Sequence, residues 1–89
     1  MSEIEITIVN QLGLHMRAAG KFAKLAGQYR SHVSLVRDGI SVDGKSIVGL
    51  LTLAASQGST LTLRVDGVDE GEALNALKEL VDSRFGESQ

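Results

Sequence analysis

Residues 3–29 read EIEITIVNQLGLHMRAAGKFAKLAGQY, and a change of period inside this stretch decides the fold. Between residues 3 and 9, Ile4, Ile6 and Ile8 fall on one side of an extended chain and Glu5 and Thr7 on the other. Such alternation marks a half-buried strand, because successive strand side chains point to opposite faces. Residues 10–14 break the pattern with a glycine-bearing turn. From residue 16 to residue 29 the apolar side chains Ala19, Phe22, Ala23, Ala26 and Tyr29 recur at helical spacing. They form the single stripe of an amphipathic helix. Gly27 lies near its end, where a glycine can loosen the last turn.

Outward from this unit the same two periods alternate. Residues 32–37 form a second strand with Val33 and Leu35 inward. Asp38-Gly39 signals a two-residue hairpin, since the favoured turn needs positive φ at both positions. Residues 40–42 return as a third strand, and Asp43-Gly44 turns the chain again. Ser46 then stands as an N-cap before residues 47–55, where Ile47, Leu50, Leu51 and Ala54 keep helical spacing. Residues 60–65 alternate with Leu61, Leu63 and Val65 on one face, and Asp66-Gly67 turns. Asp69-x-x-Glu72 has the form of a capping box. Ala73, Leu74, Leu77, Leu80, Val81 and Phe85 give the stripe of a last helix. The order is βαββαβα, and every strand keeps one polar face. The expected class is therefore α+β: a four-stranded antiparallel sheet with three helices on one face, an open-faced two-layer sandwich. Residues 1–89 are expected to make one domain.

Composition narrows the chemistry. The chain has 89 residues, 43% of them hydrophobic, but only three aromatics, so its core must be aliphatic. There is no cysteine, which excludes a disulfide frame and a thiolate metal site; two histidines alone make a poor zinc site. No metal and no cofactor are expected. The net charge of −2 and the scarcity of aromatics argue against a nucleic-acid partner. No apolar run approaches membrane-spanning length, and residues 1–20 show no basic-then-apolar secretory pattern, so the expected compartment is the cytoplasm.

His15 is the first residue with chemistry to offer. It lies in Gly13-Leu14-His15-Met16-Arg17-Ala18-Ala19, where loop becomes helix. The first amides of a helix lack intrahelical partners and, with the helix dipole, make an anion site. A phosphoryl group on His15 would sit in reach of those amides. Arg17 adds a planar, permanently charged donor set. Histidine suits a relay, because its phosphoramidate bond has high transfer potential, whereas a serine ester is durable. On the residues alone, His15 also reads as a mere helix-start residue. His32 reads as an exposed strand residue without a role.

Three further features carry two readings each. Ser46 is an N-cap, or a modification site whose phosphate a helix start tolerates while a docking partner is repelled, with Lys45 adjacent to steady the charge. Ile47, Val48, Leu50 and Leu51 are more apolar than one buried stripe requires: core packing, or an exposed docking patch. Lys21 and Lys24 are a solvated helix face, or with Arg17 and Lys45 a basic rim for acidic partners.

These residues carry a family resemblance. Gly13-Leu14-His15-Met16-Arg17-Ala18-Ala19 resembles the active-site motif, and Gly44-Lys45-Ser46-Ile47-Val48-Gly49-Leu50-Leu51 the regulatory-serine segment, of the histidine-containing phosphocarrier protein HPr of the bacterial phosphoenolpyruvate-dependent phosphotransferase system. The separation of the motifs and the βαββαβα order also agree, across residues 2–86. The resemblance implies that His15 accepts a phosphoryl group through Nδ1, with Arg17 in support. It implies enzyme I as donor, EIIA-type proteins as acceptors, and Ser46 as the serine that HPr kinase/phosphorylase modifies in some bacteria. Ile47, Val48, Leu51, Lys24 and Lys45 are the candidate partner contacts, and Ile47, Val48 and Leu51 are expected to dock donor and acceptor in turn. Ala18 stands where many sugar-system members have proline, and the motifs look more like the nitrogen-related branch, NPr, thought to be regulatory. A carrier rather than an enzyme is expected, and a monomer, because docking must be transient. The rival is a binding module switched by Ser46, with His15 idle.

Overall fold

The computed structural model describes all 89 residues. Its elements are β1 (Ser2–Thr7), α1 (Met16–Ala26), β2 (His32–Arg37), β3 (Ile40–Asp43), α2 (Ile47–Thr52), β4 (Thr60–Asp66) and α3 (Glu70–Asp82), followed by a short 3-10 turn at Arg84–Gly86. The four strands form one antiparallel sheet in the order β1-β4-β2-β3. Register explains the alternation in the sequence. Ile4 pairs with Leu63, Ile6 with Leu61, Leu63 with Leu35, Val65 with Val33, and Leu35 with Val42. All of these face the helices, because directly opposed residues share a face. The other face carries Glu3, Glu5, Thr62 and Arg64, with Arg64 on Glu3 at 2.8 Å.

The core between the layers is aliphatic except for Phe22 and Phe85, both fully buried. Phe22, Ala19, Ala23 and Ala26 of α1 meet Leu77, Ala73 and Val81 of α3 in one cluster with the inward strand residues. Asp38 and Gly39 both have positive φ, 50° and 81°, as the hairpin turn requires. Ser46 caps α2: its Oγ accepts from the Gly49 amide at 3.0 Å. No helix is long and apolar enough to cross a membrane.

The structure departs from the sequence expectations at the ends of its helices. α1 stops at Ala26, before Tyr29, and Gly27 closes it in ordinary right-handed geometry, its amide on the Ala23 carbonyl at 2.9 Å. α2 stops at Thr52 rather than reaching residue 55. Its buried side is Leu50 followed by Leu53 and Ala55, whereas Ile47 and Ala54 are exposed. Asp69 stands at the N-cap of α3, but its side chain makes no cap hydrogen bond. Its carboxylate accepts instead from the amides of Arg30 and Ser31 at 2.8 and 2.9 Å and from the Ser31 hydroxyl, tying the start of α3 to the entry of β2. Phe85 is not on the α3 stripe. It follows Arg84, both with positive φ, and turns back into the core.

Candidate functional site

The loop 8–15 delivers His15 to its place. Ile8 holds on to the β4 entry through the Ser59 carbonyl at 2.9 Å. Asn10 is then fully buried, and its Nδ2 donates to the Gly13 carbonyl at 2.8 Å, closing the turn. Gly13 takes φ +72°, and a Cβ there would stand 2.6 Å from the Ala55 carbonyl oxygen. The Leu14 amide donates to that same oxygen at 2.8 Å, and Leu14 enters the core.

His15 follows as the N-cap residue of α1, extended at φ −80° and ψ 179°. Its carbonyl accepts the first helical hydrogen bond, from Ala19 at 2.8 Å, but its side chain makes no cap bond. The amides of Met16, Arg17 and Ala18 thus open the helix without intrahelical partners. The imidazole is 27% exposed. Its Nε2 meets the Glu87 carboxylate, while Nδ1 makes no hydrogen bond to the protein. Arg17 lies exposed beside it with no partner, and both line an open groove of about 710 Å³ with Gln11, Leu12, Lys21 and the segment 86–89.

That segment is the part of the site that sequence patterns miss. Phe85 anchors it in the core, the Phe85 carbonyl accepts from Lys21 Nζ at 2.7 Å, and the Gln89 carbonyl accepts from the Gln11 amide at 2.5 Å. Between them Glu87 accepts from Asn10 Nδ2 at 3.0 Å through Oε1 and faces His15 through Oε2. The hydrogen bond from His15 holds the Glu87 carboxyl below the usual carboxylate range; that from Asn10 and the charges of His15 and Lys21 act the same way, and burial opposes them.

The remaining candidates divide. Ile47 and Val48 are exposed, and the Ile47 Cδ1 lies 4.0 Å from where a Cβ on Gly20 would stand. Met16, Gly20 and Lys24 share one side of α1 by their spacing of four, so Ile47 lies against the side of α1 that carries exposed Met16, with Lys24 at its far end, and exposed Val48 follows Ile47. Leu12 is exposed at the groove. Leu51 turns out half-buried against the core. Lys45 does not join the rim with Arg17: its Nζ donates to the Tyr29 carbonyl at 2.9 Å, beyond the opposite end of α1. His32 is exposed without a hydrogen bond from its ring, and no cluster of side chains suited to a metal exists.

The site is thus a partly exposed imidazole at the start of a helix on an open-faced α+β sandwich, an arrangement suited to carrying a group. The family described as "PTS HPr component phosphorylation site" matches residues 2–83. The chain belongs to the HPr family of phosphocarriers of the phosphotransferase system. It is 51% identical to the phosphocarrier protein HPr of Cupriavidus necator, over 100% of both chains. It is 41% identical to the phosphocarrier protein NPr of Shewanella violacea, over 97% of this chain and 94% of that one. The crystal structure of HPr-C-His from Thermoanaerobacter tengcongensis superposes with a TM-score of 0.96 at 40% identity, covering 100% of both chains. Proteins of this family work with the enzymes of the phosphotransferase system.

Proposed function

We propose that His15 accepts a phosphoryl group through Nδ1 from phospho-enzyme I and passes it to an EIIA-type protein. One observation carries the reading: the His15 ring stands at the open start of α1 with Nε2 occupied by Glu87 and Nδ1 without a partner. A phosphoryl group on Nδ1 gains the helix-start amides and the free Arg17 guanidinium as donors. Transfer of this kind needs positioning and charge stabilisation rather than protein-based covalent chemistry. The exposed apolar residues Met16, Ile47 and Val48 serve donor and acceptor in turn, so that the two compete for one surface.

Ser46 is the regulatory position in this reading. It caps the helix that carries Ile47 and Val48. Phosphorylation by an HPr kinase/phosphorylase adds between one and two negative charges to the docking face and so weakens binding of enzyme I.

Mixing the protein with enzyme I and phosphoenolpyruvate tests the acceptor. His15→Ala should fold, because its ring is partly exposed and its only hydrogen bond is to Glu87, and should take up no acid-labile phosphate. A His15→Ala variant labelled as fully as the unaltered chain rules the acceptor out and leaves the binding-module reading.

A further inference from the structure

We propose that Glu87 is a positioning residue that selects which nitrogen of the His15 ring takes the phosphoryl group; the inference rests on His15 being the acceptor. Its two carboxylate oxygens have separate tasks. Oε1 accepts from Asn10 Nδ2 at 3.0 Å, and Oε2 faces His15 Nε2. Asn10 is fully buried, and the same Nδ2 also donates to the Gly13 carbonyl at 2.8 Å. The amide is therefore fixed, and it fixes the carboxylate. The backbone of Glu87 is held as well, by its amide on the Arg84 carbonyl at 2.9 Å and by the Gln89 contact with Gln11 at 2.5 Å.

An ionised carboxylate offers only acceptors, so the contact places the ring proton on Nε2. In the neutral ring the lone pair then resides on Nδ1, the nitrogen that makes no hydrogen bond to the protein. Glu87 thus blocks Nε2 and leaves Nδ1 as the nucleophile. In the transfer, the Nδ1 lone pair forms the new P–N bond, the bond from phosphorus to the donor breaks, and the leaving atom keeps its electron pair. The proton stays on Nε2. The ring becomes cationic, and the Glu87 carboxylate balances that charge. When the phosphoryl group moves on, Nδ1 recovers its pair and the neutral ring returns. The arrangement matches the logic of a carboxylate that holds a histidine tautomer without itself taking the proton.

The test begins with the unphosphorylated full chain, labelled with 15N-histidine, at about pH 8, above the ordinary histidine range. The His15 Nε2 proton is expected to exchange slowly with water, with exposed, unpartnered His32 in the same spectrum as the fast reference. Phosphoramidate then supplies the phosphoryl group without any protein donor: its P–N bond breaks, and ammonia leaves with a proton from water. In the unaltered chain 31P spectra should show phosphorus on Nδ1 alone. In Glu87→Ala the Nε2 proton should exchange as fast as that of His32, and phosphorus should distribute between the two nitrogens. The rate at Nδ1 should fall about tenfold, the lower end of what a hydrogen bond to a charged group contributes. Fast exchange at His15 in the unaltered chain overturns the inference with no variant needed. So does a folded Glu87→Ala that is labelled on Nδ1 alone at the original rate. Both arms are separate from the enzyme I experiment, in which labelled His15→Ala would sink the acceptor reading and leave the proton measurement standing.

Discussion

The Ser46 hydroxyl oxygen accepts a hydrogen bond from the Gly49 amide at 3.0 Å, so the side chain that begins α2 also sits under its exposed apolar turn. Removing the oxygen in Ser46→Ala should cost about 1 kcal/mol of stability in urea unfolding, the usual loss for an N-cap serine. Ser46→Asp keeps an acceptor at the cap and should unfold within a few tenths of a kcal/mol of the unaltered chain. It nevertheless places a negative charge beside Ile47 and Val48. Calorimetric titration with enzyme I should therefore show weaker binding for Ser46→Asp, and an unchanged affinity would remove charge repulsion as the regulatory mechanism.

Arg17 separates function from stability in the opposite way. It is exposed, and no hydrogen bond or ion pair holds it. Arg17→Ala should change stability by less than about 0.5 kcal/mol, as surface substitutions do. Phosphoryl uptake from enzyme I should slow by about ten- to a hundredfold, the loss of a charge-assisted hydrogen bond of roughly 1.5–3 kcal/mol. A large drop in Tm with normal uptake would make the guanidinium structural.

Asp69 predicts a pH dependence away from the site. The Ser31 hydroxyl first, then the Arg30 amide and, to a lesser degree, the Ser31 amide hold its carboxyl below the ordinary value of 3.8, while burial opposes them. The unfolded chain therefore takes the proton at higher pH than the folded one does. The stabilisation is complete above about pH 4, the unfolded range, and disappears as pH falls through the depressed folded value. Melting curves recorded from about pH 5 downwards should show a shallower acid limb for Asp69→Asn than for the unaltered chain. Parallel acid limbs would show that Asp69 does not couple the start of α3 to β2.

Much of this architecture is legible locally. Ile4, Ile6 and Ile8 announce a strand, Asp38-Gly39 its hairpin, and Ser46 a cap, because each effect acts within a few residues. The position of His15 and Arg17 at a helix start is legible for the same reason, since a helix start is a local event, whereas a role for them is implied only by the family resemblance. What stayed hidden was set by long-range competition. The Asp69 side chain makes no cap bond because the Ser31 and Arg30 donors, 38 and 39 positions away, satisfy both of its oxygens. Glu87 reaches His15 across 72 positions, and no spacing rule connects an acidic residue after the last helix with a loop after the first strand. Asn10 read only as a turn residue, although its burial and its bond to Glu87 make it the joint between the two segments. Lys45 misled for the converse reason: adjacency to Ser46 in sequence says nothing of a flexible side chain that finds the Tyr29 carbonyl.

Gly13 and Gly39 offer a controlled comparison of what the loop before His15 requires. Both hold positive φ, +72° and +81°. A Cβ on Gly39 would meet nothing within 4 Å, so Gly39→Ala should cost only the backbone strain of a left-handed residue, about 1–2 kcal/mol. A Cβ on Gly13 would stand 2.6 Å from the Ala55 carbonyl oxygen and 2.9 Å from the Ser56 Cα, both backbone atoms that cannot swing aside. Relief requires the loop to move off residues 55–56, which breaks the 2.8 Å bond from Leu14 to Ala55 and carries His15 away from Glu87. Gly13→Ala should therefore lose the same strain plus a hydrogen bond of about 0.5–1.5 kcal/mol in urea unfolding, and should also slow phosphoryl uptake. Gly39→Ala should leave uptake unchanged. Equal stability losses, together with equal uptake rates, would mean that the close approach at Ala55 plays no part in presenting the imidazole.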